Sequence, residues 1–147
     1  MPKFFIIFRK ENSTFRVIVF IDNCKIINDT YGHSIGDEVI ILLSNKLEEY
    51  VRNSDIVARF GGEEFVIFLY NTCLDDAYII SEKIRKNVEK LELHADGEML
   101  NFTISLGVSQ YSDVKDSNNI ENTLKRADDA LYIAKANGRN QVVKEVY

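Results

Sequence analysis

"RFGGEEF" (Arg59–Phe65) lies where two apolar runs meet, "DIVARF" (Asp55–Phe60) and "EFVIFLY" (Glu64–Tyr70). Both runs are rich in β-branched and aromatic residues and read as strands. Gly61 and Gly62 tolerate positive φ, which predicts a tight hairpin turn between the two strands. Glu63 and Glu64 then follow a bare backbone at the hairpin tip. A phosphate or a metal can approach such a turn closely, and the two carboxylates point to opposite faces if the strand begins there. Standing alone, GGEE at a hairpin tip is a better bet as a solvated turn than as a site.

On the N-terminal side, "FRVIVFI" (Phe15–Ile21) is nearly all apolar and fits a central strand buried on both faces. A polar turn follows it, and Ser34 to Arg52, unbroken by glycine after Gly36, reads as a helix. On the C-terminal side, Ala77, Ile80, Ile84, Val88 and Leu91 recur at helical spacing. "MLNFTISLGVSQY" (Met99–Tyr111) is strand-like, and "HADGE" before it predicts a turn closing a second hairpin. Asn118 with Glu121 resembles a capping box for a helix through Ile120, Leu124, Ala127, Leu131 and Ala134. Asn137-Gly138 ends that helix, and "QVVKEV" is a last short strand. The order β, α, β-hairpin, α, β or β-hairpin, α, β predicts an α+β (mixed α/β) domain, helices packed on a sheet.

The 147 residues suit one domain with one continuous core. Eighteen basic against twenty-three acidic residues leave a net charge of −5, which argues against a general nucleic-acid binder. An anionic small molecule then needs locally placed Lys and Arg. Cys24 and Cys73 are far apart and flanked by apolar residues, so reduced thiols in a cytoplasmic protein are expected. No apolar run approaches membrane-spanning length, and Lys3, Arg9 and Lys10 around "FFIIF" make a poor signal peptide.

Together the motifs resemble the GGDEF family of diguanylate cyclases, in its GGEEF variant. Gly61 to Phe65 match the signature, "NDTYGHSIGDE" from Asn28 matches the family's turn and helix start, and "AKANGRN" from Ala134 matches its C-terminal block. The likeness runs from Phe15 to Val143. It implies a mostly antiparallel sheet flanked by helices, like the palm of nucleotidyl cyclases and polymerases. It also implies an activity: two GTP joined into cyclic di-GMP with loss of two pyrophosphates, across two facing copies of the domain. A polymerase or adenylyl cyclase of similar fold is disfavoured by the guanine-side and GGEEF matches.

The resemblance assigns roles by position. Asn28 and Asp37 match the residues that hydrogen-bond guanine; for Asp37 the bland alternative is a capping box with Ser34. Lys25, Lys135 and Arg139 match phosphate contacts, although cations at a helix C-terminus are favourable in any case. Gly61 and Gly62 match the backbone cradle, Glu63 a ligand of Mg²⁺ or Mn²⁺, and Glu64 the carboxylate that assists deprotonation of the attacking 3′-hydroxyl. Arg52 and Asp55 match the family's RxxD inhibitory product site, with Lys83 at a second position of that site. The bland reading of the pair is an Arg near a helix end with a turn Asp.

Two departures stand out. Where the family pattern reads Asp-Ile-Asp-x-Phe-Lys, this chain has Phe20-Ile21-Asp22-Asn23-Cys24-Lys25. Phe20 therefore takes the place of the first metal-binding Asp. Ile21 keeps its backbone carbonyl, and Asp22 is a further candidate ligand through water. A hard cation wants oxygen ligands, so the ring is a direct loss. Cys24 in place of Phe reads as a small apolar change. The second departure is that no "DxLTGLxNR" signature precedes the first strand, so residues 1–147 are expected to form one domain lacking that segment. A sensor or receiver domain is expected in the full-length protein. The expectation is a diguanylate cyclase weakened by Phe20, against a silent module that binds GTP or cyclic di-GMP.

Overall fold

The structure is a computed structural model that describes residues 14–111 and 119–145. Its elements run β1 (Thr14–Ile21), α1 (Cys24–Tyr31), α2 (His33–Tyr50), β2 (Ile56–Arg59), β3 (Glu64–Tyr70), α3 (Leu74–Glu89), β4 (Leu93–Ala95), β5 (Glu98–Leu100), β6 (Ile104–Gln110), α4 (Ile120–Ala136) and β7 (Val142–Lys144). The main sheet has the order β2-β3-β1-β6-β7. All its pairings are antiparallel except β6 with β7. This is the mixed α+β class that the sequence predicts, and β1 is its central strand.

The alternation of β3 divides the core. Phe65, Ile67 and Leu69 face one side with Ile21, Ile104 and Leu106, covered by Val39, Leu43 and Leu47 of α2 and Ala77, Ile84 and Val88 of α3. Val66 and Phe68 face the other side, against Ala127 and Leu131 of α4. Each fully buried Leu or Ile contributes about 1.5–3 kcal/mol by leaving water. Helix α4 lies very close to β6: a Cβ on Gly107 would stand 2.0 Å from the Ala127 carbonyl oxygen and 2.5 Å from the Leu131 nitrogen.

Several local expectations change. The polar stretch after β1 is a helix, α1, entered through Asn23 in the left-handed region (φ 57°). Helix α2 starts at His33 behind Gly32 (φ 90°), and no side chain caps it. The Ser34–Asp37 capping box therefore does not form. Neither Gly61 nor Gly62 takes positive φ, because the turn is longer than two residues: Arg59 pairs with Phe65, and the Phe60 N–H donates to the Glu64 carbonyl at 2.8 Å. The second hairpin does form, between β4 and β5, with Asp96 and Gly97 at φ 53° and 80°. Those are the values a two-residue Asp-Gly turn requires. Asn118 lies outside the described residues; the residue that caps α4 is Asn119, whose side chain accepts from the Glu121 N–H at 3.0 Å.

Candidate functional site

Strand β1 is antiparallel to both β3 and β6, so the end of β1 adjoins the starts of the other two. Helix α1 leaves from that edge, and α4 returns to it before β7. One end of the sheet therefore gathers Phe20, Ile21, Lys25, Glu63, Glu64, Lys135 and Arg139.

Asn28 and Asp37 lie on either side of the α1–α2 elbow. The Asn28 amide rests on Gly36, where a Cβ would stand 1.8 Å from Asn28 Oδ1. Gly36 thus gives the amide its place. Asp37 and Lys25 are exposed.

At the hairpin, Gly61 and Gly62 have open space where a Cβ would project. Arg59, which sequence reasoning passed over, holds the turn. Its Nε donates to the Gly61 carbonyl at 3.1 Å and its Nη2 to the Gly62 carbonyl at 2.8 Å. Cys24 is more than an apolar replacement. Burial, with a hydrogen bond to Glu63 and that residue's charge, pushes its thiol up to about 11. It therefore stays a protonated donor beside Glu63. Glu64 is half-buried, and its pKa is raised, first by burial and then by the charge of Asp128; Lys135 acts in the opposite direction.

Lys135 occupies the last turn of α4, with its Nζ 3.4 Å from the centroid of the Phe20 ring. That helix end is tightly fixed. Gly138 (φ 108°) closes it, with the Arg139 N–H donating to the Ala134 carbonyl at 3.0 Å. The Asn140 N–H then donates to Asp22 Oδ2 and Ser105 Oγ, both at 3.1 Å. Asp22 also accepts from Thr103 Oγ1 at 2.8 Å and Ser105 Oγ at 2.7 Å, and it is 2% exposed. Both Asp22 oxygens thus bind donors that join β1, β6 and the loop before β7, which gives this side chain a structural task. The Asn140 side chain is held in turn by Arg85 and Glu89 of α3.

Arg52 and Asp55 bond to each other and, beyond that, to the sheet. Asp55 Oδ2 accepts from the Arg52 N–H at 2.8 Å, and Oδ1 from the Tyr70 N–H at 3.0 Å. Arg52 Nη2 donates to the Tyr70 carbonyl and to Thr72 Oγ1. The pair fastens the α2–β2 turn to the end of β3. Lys83 lies exposed on α3, and no described bond joins it to them.

The model of the family described as "Diguanylate cyclase, GGDEF domain" matches residues 6–141. The chain belongs to the GGDEF diguanylate cyclase family. It is 43% identical over 133 residues to diguanylate cyclase A of Treponema denticola, covering 90% of this chain and 35% of that protein. It is 46% identical over 129 residues to the response regulator PleD of Caulobacter vibrioides, covering 86% of this chain and 28% of that protein. It thus spans roughly a third of the length of these relatives. Among solved structures, the GGDEF domain of DgcB from Caulobacter crescentus in complex with c-di-GMP superimposes with TM-score 0.86 at 28% identity, over 91% of this chain and 78% of that one. The active GGEEF domain of a diguanylate cyclase from Vibrio cholerae gives 0.84 at 32% identity, over 92% and 84%.

GGDEF cyclases generally use a divalent metal. The residues at the end of β1 here do not fit a carboxylate-held cation: position 20 is a ring capped by an ammonium, and both Asp22 oxygens are taken. Among the described residues no group of three or more His, Cys, Asp or Glu is arranged to hold a metal ion. No helix among them is long and apolar enough to cross a membrane.

Proposed function

We propose that this GGDEF domain binds GTP, with its guanine at Asn28 and Asp37 and its phosphates at Lys25, Lys135, Arg139 and the Gly61–Gly62 turn. Two copies facing each other then join two GTP into cyclic di-GMP. Each 3′-oxygen attacks the α-phosphorus of the nucleotide on the opposite copy, pyrophosphate leaves, and Glu64 takes the hydroxyl proton. The observation that carries this reading is the convergence of Glu63, Glu64, Lys135 and the open glycine turn on one end of the sheet, beside the elbow where Gly36 seats Asn28. The raised pKa of Glu64 supports its role, since a carboxylate of higher pKa is the stronger base. Phe20 should slow turnover, because only stabilisation specific to the transition state accelerates the reaction.

Incubation of the chain with GTP and Mg²⁺ or Mn²⁺, followed by chromatography for cyclic di-GMP, tests the proposal. Slow product from the parent and faster product from a folded Phe20→Asp variant are expected. No product from either overturns the cyclase reading.

A second reading, a catalytically silent module that holds GTP or cyclic di-GMP, is favoured by the Lys135–Phe20 stack. Here the dinucleotide sits at Arg52, Asp55 and Lys83, where the 58% exposed Arg52 side chain offers a guanidinium fork to guanine or phosphate. Unchanged cyclic di-GMP affinity in Arg52→Ala counts against that site. A sensor or receiver domain elsewhere in the protein, and a cytoplasmic location with access to GTP, complete either reading.

A further inference from the structure

We propose that Lys135, seated on the Phe20 ring, supplies the positive charge at the nucleotide phosphates in this chain, so that guanine nucleotide binds without a divalent cation. The proposal rests on the guanine-nucleotide reading above. It starts from a pairing of chemistries. An aromatic ring offers nothing to a hard divalent ion but attracts an ammonium through the negative face of its π system. Here the ring occurs at the position that the family pattern reserves for a carboxylate, and the ammonium lies on it at 3.4 Å.

Three features make this a built arrangement rather than a chance approach of a long side chain. Phe20 packs against the Val66, Phe68, Ala127 and Leu131 cluster, so the ring is braced by both the sheet and α4. The end of α4 cannot slide, because the Asn140 backbone is bonded to Asp22 and Ser105 and its side chain to Arg85 and Glu89. Glu64, the Cα partner of Phe20 across the β1–β3 ladder, faces the same ammonium. Lys135 is therefore seated on the ring, with the charge of Glu64 close enough to act on it, at the end of the sheet where the phosphates are expected. A divalent cation over that ring would meet an ammonium where the family pattern has a carboxylate, and like charges repel.

Calorimetric titration of GTP into the chain, once in EDTA and once in Mg²⁺, tests the proposal. The parent is expected to bind with similar affinity in both buffers. Lys135→Gln should weaken binding in EDTA by roughly tenfold, and Phe20→Leu, which keeps the packing but removes the π face, by roughly threefold. Phe20→Asp, where it folds by circular dichroism, should bind roughly tenfold tighter in Mg²⁺ than in EDTA. A parent that binds GTP at least roughly tenfold tighter in Mg²⁺ overturns the proposal and leaves the guanine site standing. Undiminished affinity of Lys135→Gln in EDTA has the same effect. A parent that binds no GTP in either buffer overturns both the proposal and the guanine-nucleotide reading.

Discussion

The Asn28 amide occupies the space that a side chain at position 36 would need, with only 1.8 Å between Oδ1 and a Cβ built on Gly36. Helix α2 itself would welcome alanine, which is favoured over glycine by about 1 kcal/mol inside a helix. Gly36→Ala therefore separates fold from site. Its thermal stability should stay near the parent's while GTP affinity drops by roughly tenfold, the cost of displacing one hydrogen-bonding group. Equal affinity for GTP in calorimetry would remove Asn28 from the base-binding elbow.

Gly107 makes the opposite prediction. The atoms that a Cβ would strike there are backbone, the Ala127 carbonyl and the Leu131 nitrogen, and neither can swing aside. Gly107→Ala should lift α4 off β6 and cost about 3 kcal/mol in urea unfolding. A loss below about 0.5 kcal/mol would mean that α4 seats more loosely than described.

Asp22→Ala leaves Thr103 Oγ1 and Ser105 Oγ without their acceptor and takes one of two acceptors from the Asn140 N–H, in a partly to fully buried setting. The expected loss is about 3 kcal/mol. Because the same bonds hold the loop that follows Lys135, GTP affinity should fall as well. Asp22→Ala with parental stability would count against this structural role and in favour of a ligand.

Asp55 and Arg52 differ in what they hold. Asp55→Ala orphans the Tyr70 and Arg52 N–H groups and should cost about 2 kcal/mol, measured by chemical denaturation. Arg52→Ala leaves both of those bonds intact and should cost less.

Glu64 gives a pH signature. Its folded pKa lies above the ordinary 4.5, so between those values the folded state binds more protons than the unfolded state. Stability from this group is therefore greatest in acid and declines as pH rises through that window. Glu64→Gln removes the decline. The variant should melt above the parent near neutral pH, and the gain should vanish at a pH below 4.5. An equal gain at every pH would point to packing instead of charge.

The long elements were legible because each carries its own period: the alternation of "EFVIFLY" or the three- and four-residue spacing from Ala77 to Val88. Helix α1 was not. Asn28, Asp29 and Thr30 are poor helix formers, and what holds the helix is burial of Cys24 and Ile27 in the core. In the site, the motif residues could be named from the family resemblance, but their neighbours could not. That Phe20 lacks a carboxylate is plain in the sequence; that an ammonium covers its ring depends on a helix far along the chain. Arg59 was overlooked because it precedes the glycine motif, and its bonds run to backbone carbonyls, which no residue pattern records. Asp22 reads as one more acid beside a site until its three donors are seen.

The bond from the Asn140 N–H to Asp22 joins positions 118 residues apart. During synthesis the elbow and the glycine hairpin leave the ribosome long before their cationic counterpart. A nascent chain ending before Asn140 has no clasp to hold Lys135 in place, and closing so large a loop is slow. Competence to hold an anion should accordingly arrive last, together with the final strand. Native-state hydrogen exchange reads this directly: the Asn140 amide should exchange only through opening of the whole domain, and early exchange would show that the clasp opens by itself.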